Sequence, residues 1–150
     1  MEGLIEVFAA VLAALSAVAG VLGAWAWWQV RPARAFWVVL RTAQALVIVV
    51  ALLSGVAAAM GDRPDDGLFW VYALVPVFVS FVAEQLRAVS AQAVLDERDL
   101  EDAQAVGRLP EAQQHSVVTA ILRREVGVMT LAAGVTCFMA LRAVGTVAGL

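Results

Sequence analysis

Four long apolar runs, Gly3 to Val30, Ala35 to Met60, Leu68 to Ala83 and Val126 to Leu150, fill nearly two thirds of this 150-residue chain. A hydrocarbon core about 30 Å thick takes roughly 20 helical residues to cross. Inside it every backbone polar group must be satisfied within the segment itself, which selects helices. The runs therefore predict an all-α integral membrane protein, a bundle of four transmembrane helices. A soluble domain with 63% hydrophobic residues and a mean hydropathy of +0.86 would carry more apolar surface than it could hide. Lipid removes that problem.

Charge narrows the partners. A net charge of −3, with arginines spread along the chain, gives no footprint for a nucleic acid. All ten basic residues are Arg and none is Lys. That bias reads as the codon usage of a GC-rich bacterial genome, and so as a bacterial plasma membrane. The single cysteine, Cys137, can form no intramolecular disulfide. Met1-Glu2-Gly3 lacks the positive start of a secretory signal, and the run behind it is too long for one, so helix one is expected in the mature protein.

Arginine placement sets the threading, because short cytoplasmic loops retain positive charge during insertion. Arg31 and Arg34 lie between helices one and two, and Arg87, Arg98, Arg108, Arg123 and Arg124 between three and four, seven on one side. Arg63 alone, in the acidic turn Gly61 to Gly67, takes the other. Both termini are expected outside. Trp25, Trp27, Trp28, Phe36 and Trp37 would sit at the inner headgroups, and Phe69, Trp70 and Tyr72 at the outer ones.

Pro32 makes 30–34 a tight turn between antiparallel neighbours. Helix three meets no breaker at its inner end until Gly107-Arg108-Leu109-Pro110. The chain therefore predicts one domain over 1–150 with helices at about 3–30, 35–60, 68–106 and 111–149, the last two extended into a cytoplasmic helical hairpin over about 88–125. Val89, Ala93, Leu100 and Ala103 would meet Val118, Ile121 and Leu122 along its seam. The acidic run Asp96 to Asp102 points in several directions on one helix, as a solvated face does, rather than converging on a cation.

A charge at the centre of a membrane helix costs about 2.5 to 3.5 kcal/mol on insertion scales, so each one needs a partner or water. Arg41, seven residues past Arg34, and Glu84, near the inner end of helix three, fall in the same half; Glu6 and Arg142 share the outer half. Each acid is expected to meet its base. Gln44 lies one turn beyond Arg41, and Tyr72, Pro76, Ser80 and Glu84 recur every four residues, a polar stripe that could face a path. Small residues at four-residue spacing, Ser16-Gly20-Ala24, Ala51-Gly55-Ala59 and Gly145-Gly149, allow close helix approach and predict a homo-oligomer.

Enzymatic chemistry is missing. One histidine, His115, provides neither haem ligation within the membrane nor a zinc site, and no cysteine pair, nucleophile elbow or phosphate loop is present. No cofactor is expected. The halves run in one orientation and show no internal repeat, which sets the chain apart from inverted-repeat transporters. The sequence thus predicts a structural or accessory subunit acting through helix packing and its hairpin, the latter being the place for a protein partner. The alternative is an oligomeric ion channel or small-solute transporter with an Arg41/Glu84 polar path.

Overall fold

A computed structural model describes residues 2–61 and 67–147. Among these residues every element is helical: α1 (Glu2–Gln29), α2 (Arg34–Ala59), α3 (Gly67–Asp96), α4 (Ala103–Gly107) and α5 (Glu111–Val147). The four long helices are each long and apolar enough to cross a membrane, the make-up of a multi-pass membrane protein. Most of the expected acidic turn after Gly61 (62–66), with Arg63, and Gly149 of the last small-residue pair lie outside the described residues.

The long helices close a square. α1 packs on α2 and α5, and α3 packs on the same two; the α1–α5 contact is the most extensive and α2–α3 the slightest. Buried positions step by three and four residues: Ile5, Ala9, Leu12, Ser16, Ala19, Gly23 and Ala26 on α1, Phe36, Leu40, Ala43, Val47, Val50, Ser54 and Ala57 on α2, and Val126, Met129, Ala133, Thr136, Ala140 and Ala143 on α5. α3 keeps the step from Phe69 to Val94, with Ser80 and Arg87 taking two of its places. Alternating steps of three and four are the heptad pattern, whose period favours a left-handed supercoil. Half of the residues on this seam are Ala or Ser, which lets the helices sit close. Large side chains such as Trp28, Phe78 and Leu131 are left facing outward.

Two aromatic rings expected at the headgroups are core residues instead. Phe36 is wholly buried against Ala26, Leu40 and Met129, and Phe69 packs with Ile5, Ala57 and Ala73. Both fall on the three-four step, which sets the direction in which a ring points and not its depth. Trp25, Trp27 and Trp28 do face outward.

Helix ends follow local chemistry. After α1 the chain turns through Val30 at φ 51°, and Arg31 N–H reaches back to the Ala26 carbonyl at 3.2 Å. After α3, Asp99 takes φ 55°, Leu100 N–H donates to the Leu95 carbonyl at 3.0 Å, and Leu100 packs on the cluster containing Leu95. Both ends are Schellman motifs, with the left-handed residue just past the cap.

Helix three therefore does not continue to 106. It stops at Asp96, and the acidic run expected on one helix is the break itself. Five carboxylates in seven residues repel one another along a helix, and Asp tolerates the left-handed conformation that ends one. Two of them find a use off the helix: Asp102 caps α4 by accepting from Ala105 N–H at 2.7 Å, and Glu97 pairs with Arg124 at 2.7 Å. The expected seam shifts as well. Val94, Leu95 and Val117 are buried there, with Leu100, Val106, Leu109 and Ile121 against them, whereas Val89, Ala103 and Val118 face outward. The three-four register of α3 puts Ser90 and Val94 inward and leaves Val89 one residue off the seam. Gln114 holds the second turn, its amide donating to the carbonyls of Gly107 (3.2 Å) and Leu109 (2.8 Å).

Candidate functional site

Four polar residues of the spans gather in one place, on the slight α2–α3 contact toward the 97–110 connector. Arg41 on α2 meets Glu84 on α3, with Nη1 to Oε1 at 2.5 Å and Nη2 to Oε2 at 3.3 Å. Gln44, one turn along α2, accepts from Arg41 Nη1 at 2.8 Å and donates through Nε2 to Glu84 Oε1 at 3.0 Å. Arg87, one turn along α3, donates from Nε to Glu84 Oε2 at 3.0 Å. Both guanidinium groups also lie over the ring of Trp37, at 5.9 Å for Arg41 and 5.8 Å for Arg87. One carboxylate thus accepts from three side chains, and the cluster carries one net positive charge.

Arg87 and Trp37 are additions to the expected pair. Arg87 was legible as the i+3 neighbour of Glu84, a spacing that puts two side chains on one helix face. Read as a loop residue, it was assigned to the threading alone.

Beyond the cluster, toward the middle of the bundle, lies a small cavity of about 10 Å³ bordered by Ser16 of α1, Gln44 of α2, Ser80 of α3 and Thr136 of α5, with Leu40, Val47 and Ala133 among the other wall residues. Each long helix contributes one polar side chain. A second cavity of similar size lies further along and is lined by apolar groups, among them Ile5, Leu12, Val50 and Phe69, together with Tyr72 and Pro76. The Tyr72-Pro76-Ser80-Glu84 stripe therefore runs down α3 through three environments: apolar cavity, polar cavity and ion cluster. α3 continues as helix through Pro76.

The other expected pair does not form. Arg142 lies over the Tyr72 ring at 5.7 Å, and no ion pair joins it to Glu6. Arg142 follows Leu141 and precedes the buried Ala143, a register that aims it along the α3 side of α5, while Glu6 stands on α1 beside the buried Ile5. Sharing a membrane half was not enough to bring them together.

Ser16 and Thr136 were also missed as cavity residues. Their signal was the three-four register, on which both are seam positions. Read as one of three small-residue stripes, Ser16 was assigned to helix approach alone. Among the described residues no three His, Cys, Asp or Glu side chains converge on a metal position, and His115 is exposed. Comparison of the chain with family models, curated proteins and solved structures found no match.

Proposed function

We propose that this is a non-enzymatic structural or accessory subunit of a bacterial plasma membrane, with both termini outside and the 97–110 connector in the cytoplasm. The observation that carries the reading is how the interior is used. Many seam positions on the four helices hold small side chains in register, the two cavities described between them are about 10 Å³ each, and Glu84 gathers two of the spans' arginines at one helix contact. A conducting path needs polar groups ranged along its length. Here the stretch past Thr136 and Ser80 is lined by Leu12, Val50 and Phe69.

Assembly is the second part of the proposal. Gly55 and Ala59 face outward on α2, and a β-carbon at Gly55 would meet nothing within 4 Å of the bundle's own atoms. This outward stripe is the proposed contact between copies; Ser16-Gly20-Ala24 is ill suited, because Ser16 turns into the core. The connector end, with its own small core under Val94, Leu95 and Val117, is the proposed place for a protein partner.

The alternative of an ion or small-solute path draws on the polar cavity and its link through Gln44 to Arg41 and Glu84. Flux from proteoliposomes separates the two readings. The subunit reading expects none above lipid alone; flux lost on Glu84→Ala or Arg41→Ala would replace it with the channel. Native mass spectrometry in mild detergent tests assembly on its own. An oligomer that Gly55→Leu reduces to monomer is the expected result, and a monomer throughout would remove that part.

A further inference from the structure

Hydroxyl groups in membrane helices have a ready partner in the carbonyl one turn back, and three among the described residues use it. Thr42 donates to Val38 (2.9 Å), Ser90 to Leu86 (2.7 Å) and Thr130 to Val126 (2.6 Å). The three hydroxyls at the polar cavity do not. Ser16 Oγ is buried and makes no hydrogen bond within the protein, and neither Ser80 nor Thr136 bonds back to its own helix. They come from three different helices and border one space, with the Gln44 amide as its fourth polar wall. Gln44 spends one N–H on Glu84 and keeps a second.

We propose that this cavity is a built site for one water molecule, held at the centre of the bundle by Ser16, Ser80, Thr136 and Gln44. The size fits, since about 10 Å³ is the least that accepts a single water and is too small for any larger solute. The wall is largely apolar, but a buried water needs only two to four partners, and each of the four long helices lends one polar side chain to the lining. A cation is disfavoured by the two guanidinium groups on the other side of Gln44, which outnumber Glu84. The water supplies each hydroxyl with the partner it lacks, and through Gln44 it joins four helices to the ion cluster. Ser54, the other buried hydroxyl without a protein partner, borders neither cavity, and nothing in the structure explains it. This inference holds whether or not the protein conducts.

Two measurements test it. Thr136→Val keeps the shape of the side chain and removes its hydroxyl. A bound water then loses a partner, and the thermal midpoint in detergent is expected to fall by about 2–4 °C, with Thr42→Val, whose hydroxyl is bonded to its own helix, unchanged. A midpoint that stays or rises would overturn the proposal, because removing an unpartnered hydroxyl from a dry site relieves a cost. The second uses the unaltered protein and so does not depend on a variant folding. X-ray radiolysis generates hydroxyl radicals from water in place and oxidises the side chains that touch it. Leu40 borders the polar cavity and Leu12 the apolar one, and both are buried to the same degree. Oxidation at Leu40 and not at Leu12 is expected; none at Leu40, or equal oxidation at both, would overturn the proposal.

Discussion

The α1–α5 and α2–α3 contacts are opposite sides of one square bundle, and they are held in different ways. On the α1–α5 side backbones come close. A β-carbon on Gly23 would collide with Thr130 Oγ1 of α5, besides lying 2.7 Å from the Phe36 ring of α2, and one on Gly127 would stand 3.1 Å from Trp27 Nε1. On the α2–α3 side the contact is slight, and the long side chains of Arg41, Gln44, Glu84 and Arg87 reach across it. Lipid offers no hydrophobic drive for one helix to seek another, so what remains is close packing of small residues or polar groups that satisfy each other. This bundle uses one device on each side. Small side chains suffice where the helices touch; charge is spent where they do not.

The largest effect is expected on the packed side. Gly23→Ala puts a methyl group into space held by Thr130 and Phe36, and overpacking of this kind costs about 1–3 kcal/mol. Gly20→Ala, where nothing lies within 4 Å, is the matched control and should cost nothing or gain up to about 1 kcal/mol from helix propensity. Unfolding of both variants by SDS in mixed micelles gives the numbers. Equal behaviour of the two would mean that close approach at Gly23 does not hold this side.

On the bridged side the size of the effect is smaller and its form differs. Arg41→Ala leaves Glu84 with Arg87 and Gln44, whereas Glu84→Ala leaves two guanidinium groups facing each other. The acid should therefore be the costlier loss. A double-mutant cycle on Arg41 and Glu84 should return a coupling of about 1 kcal/mol, the scale of polar contacts between membrane helices. A coupling near zero would leave the slight α2–α3 contact without its bridge.

How much of this contrast could be read from the chain depends on the range of the interaction. Span count is a local property of hydropathy and came through, as did the limits of α2 to within one residue. The Arg41 and Glu84 juxtaposition followed from topology, since loop charge and helix direction together fix which half each residue occupies. Register was harder. Phe36 and Phe69 were read by residue type as interface rings, and only the three-four step of the whole helix shows them to be core. The end of α3 was hidden for the opposite reason: Asp96 to Asp102 contains no Gly or Pro, and the break is made by an Asp in the left-handed region and another as a cap. Glu6 and Arg142 show the limit of sharing a half, because facing requires azimuth around the helix as well as depth.

The turn that sets α1 beside α2 stores strain. Val30 sits at φ 51°, where a branched side chain crowds the backbone at a cost of about 1–2 kcal/mol. Val30→Gly should therefore stabilise the protein by about 1 kcal/mol, with both sides of the bundle unchanged. Loss of stability would mean that the Val30 side chain, half-buried at the end of α1, contributes more by packing than its backbone costs.

The smallest effect compares like with like across the two sides. Arg123 lies over Trp27 at 4.8 Å on the α1–α5 side, nearer its ring than Arg41 and Arg87 lie to Trp37. Distance alone would make it the strongest of the three contacts. Yet Trp27 faces outward and Arg123 makes no hydrogen bond or ion pair, whereas both arginines over Trp37 are fixed by Glu84. An exposed cation–π contact contributes about 0.5–1 kcal/mol, and here the side carries its stability in backbone approach at Gly23. Arg123→Ala should thus cost about 0.5 kcal/mol at most, and Arg87→Ala more, despite its longer distance. If the order is reversed in the same unfolding series, ring contact rather than the carboxylate bridge would be what stabilises the arginines of this bundle.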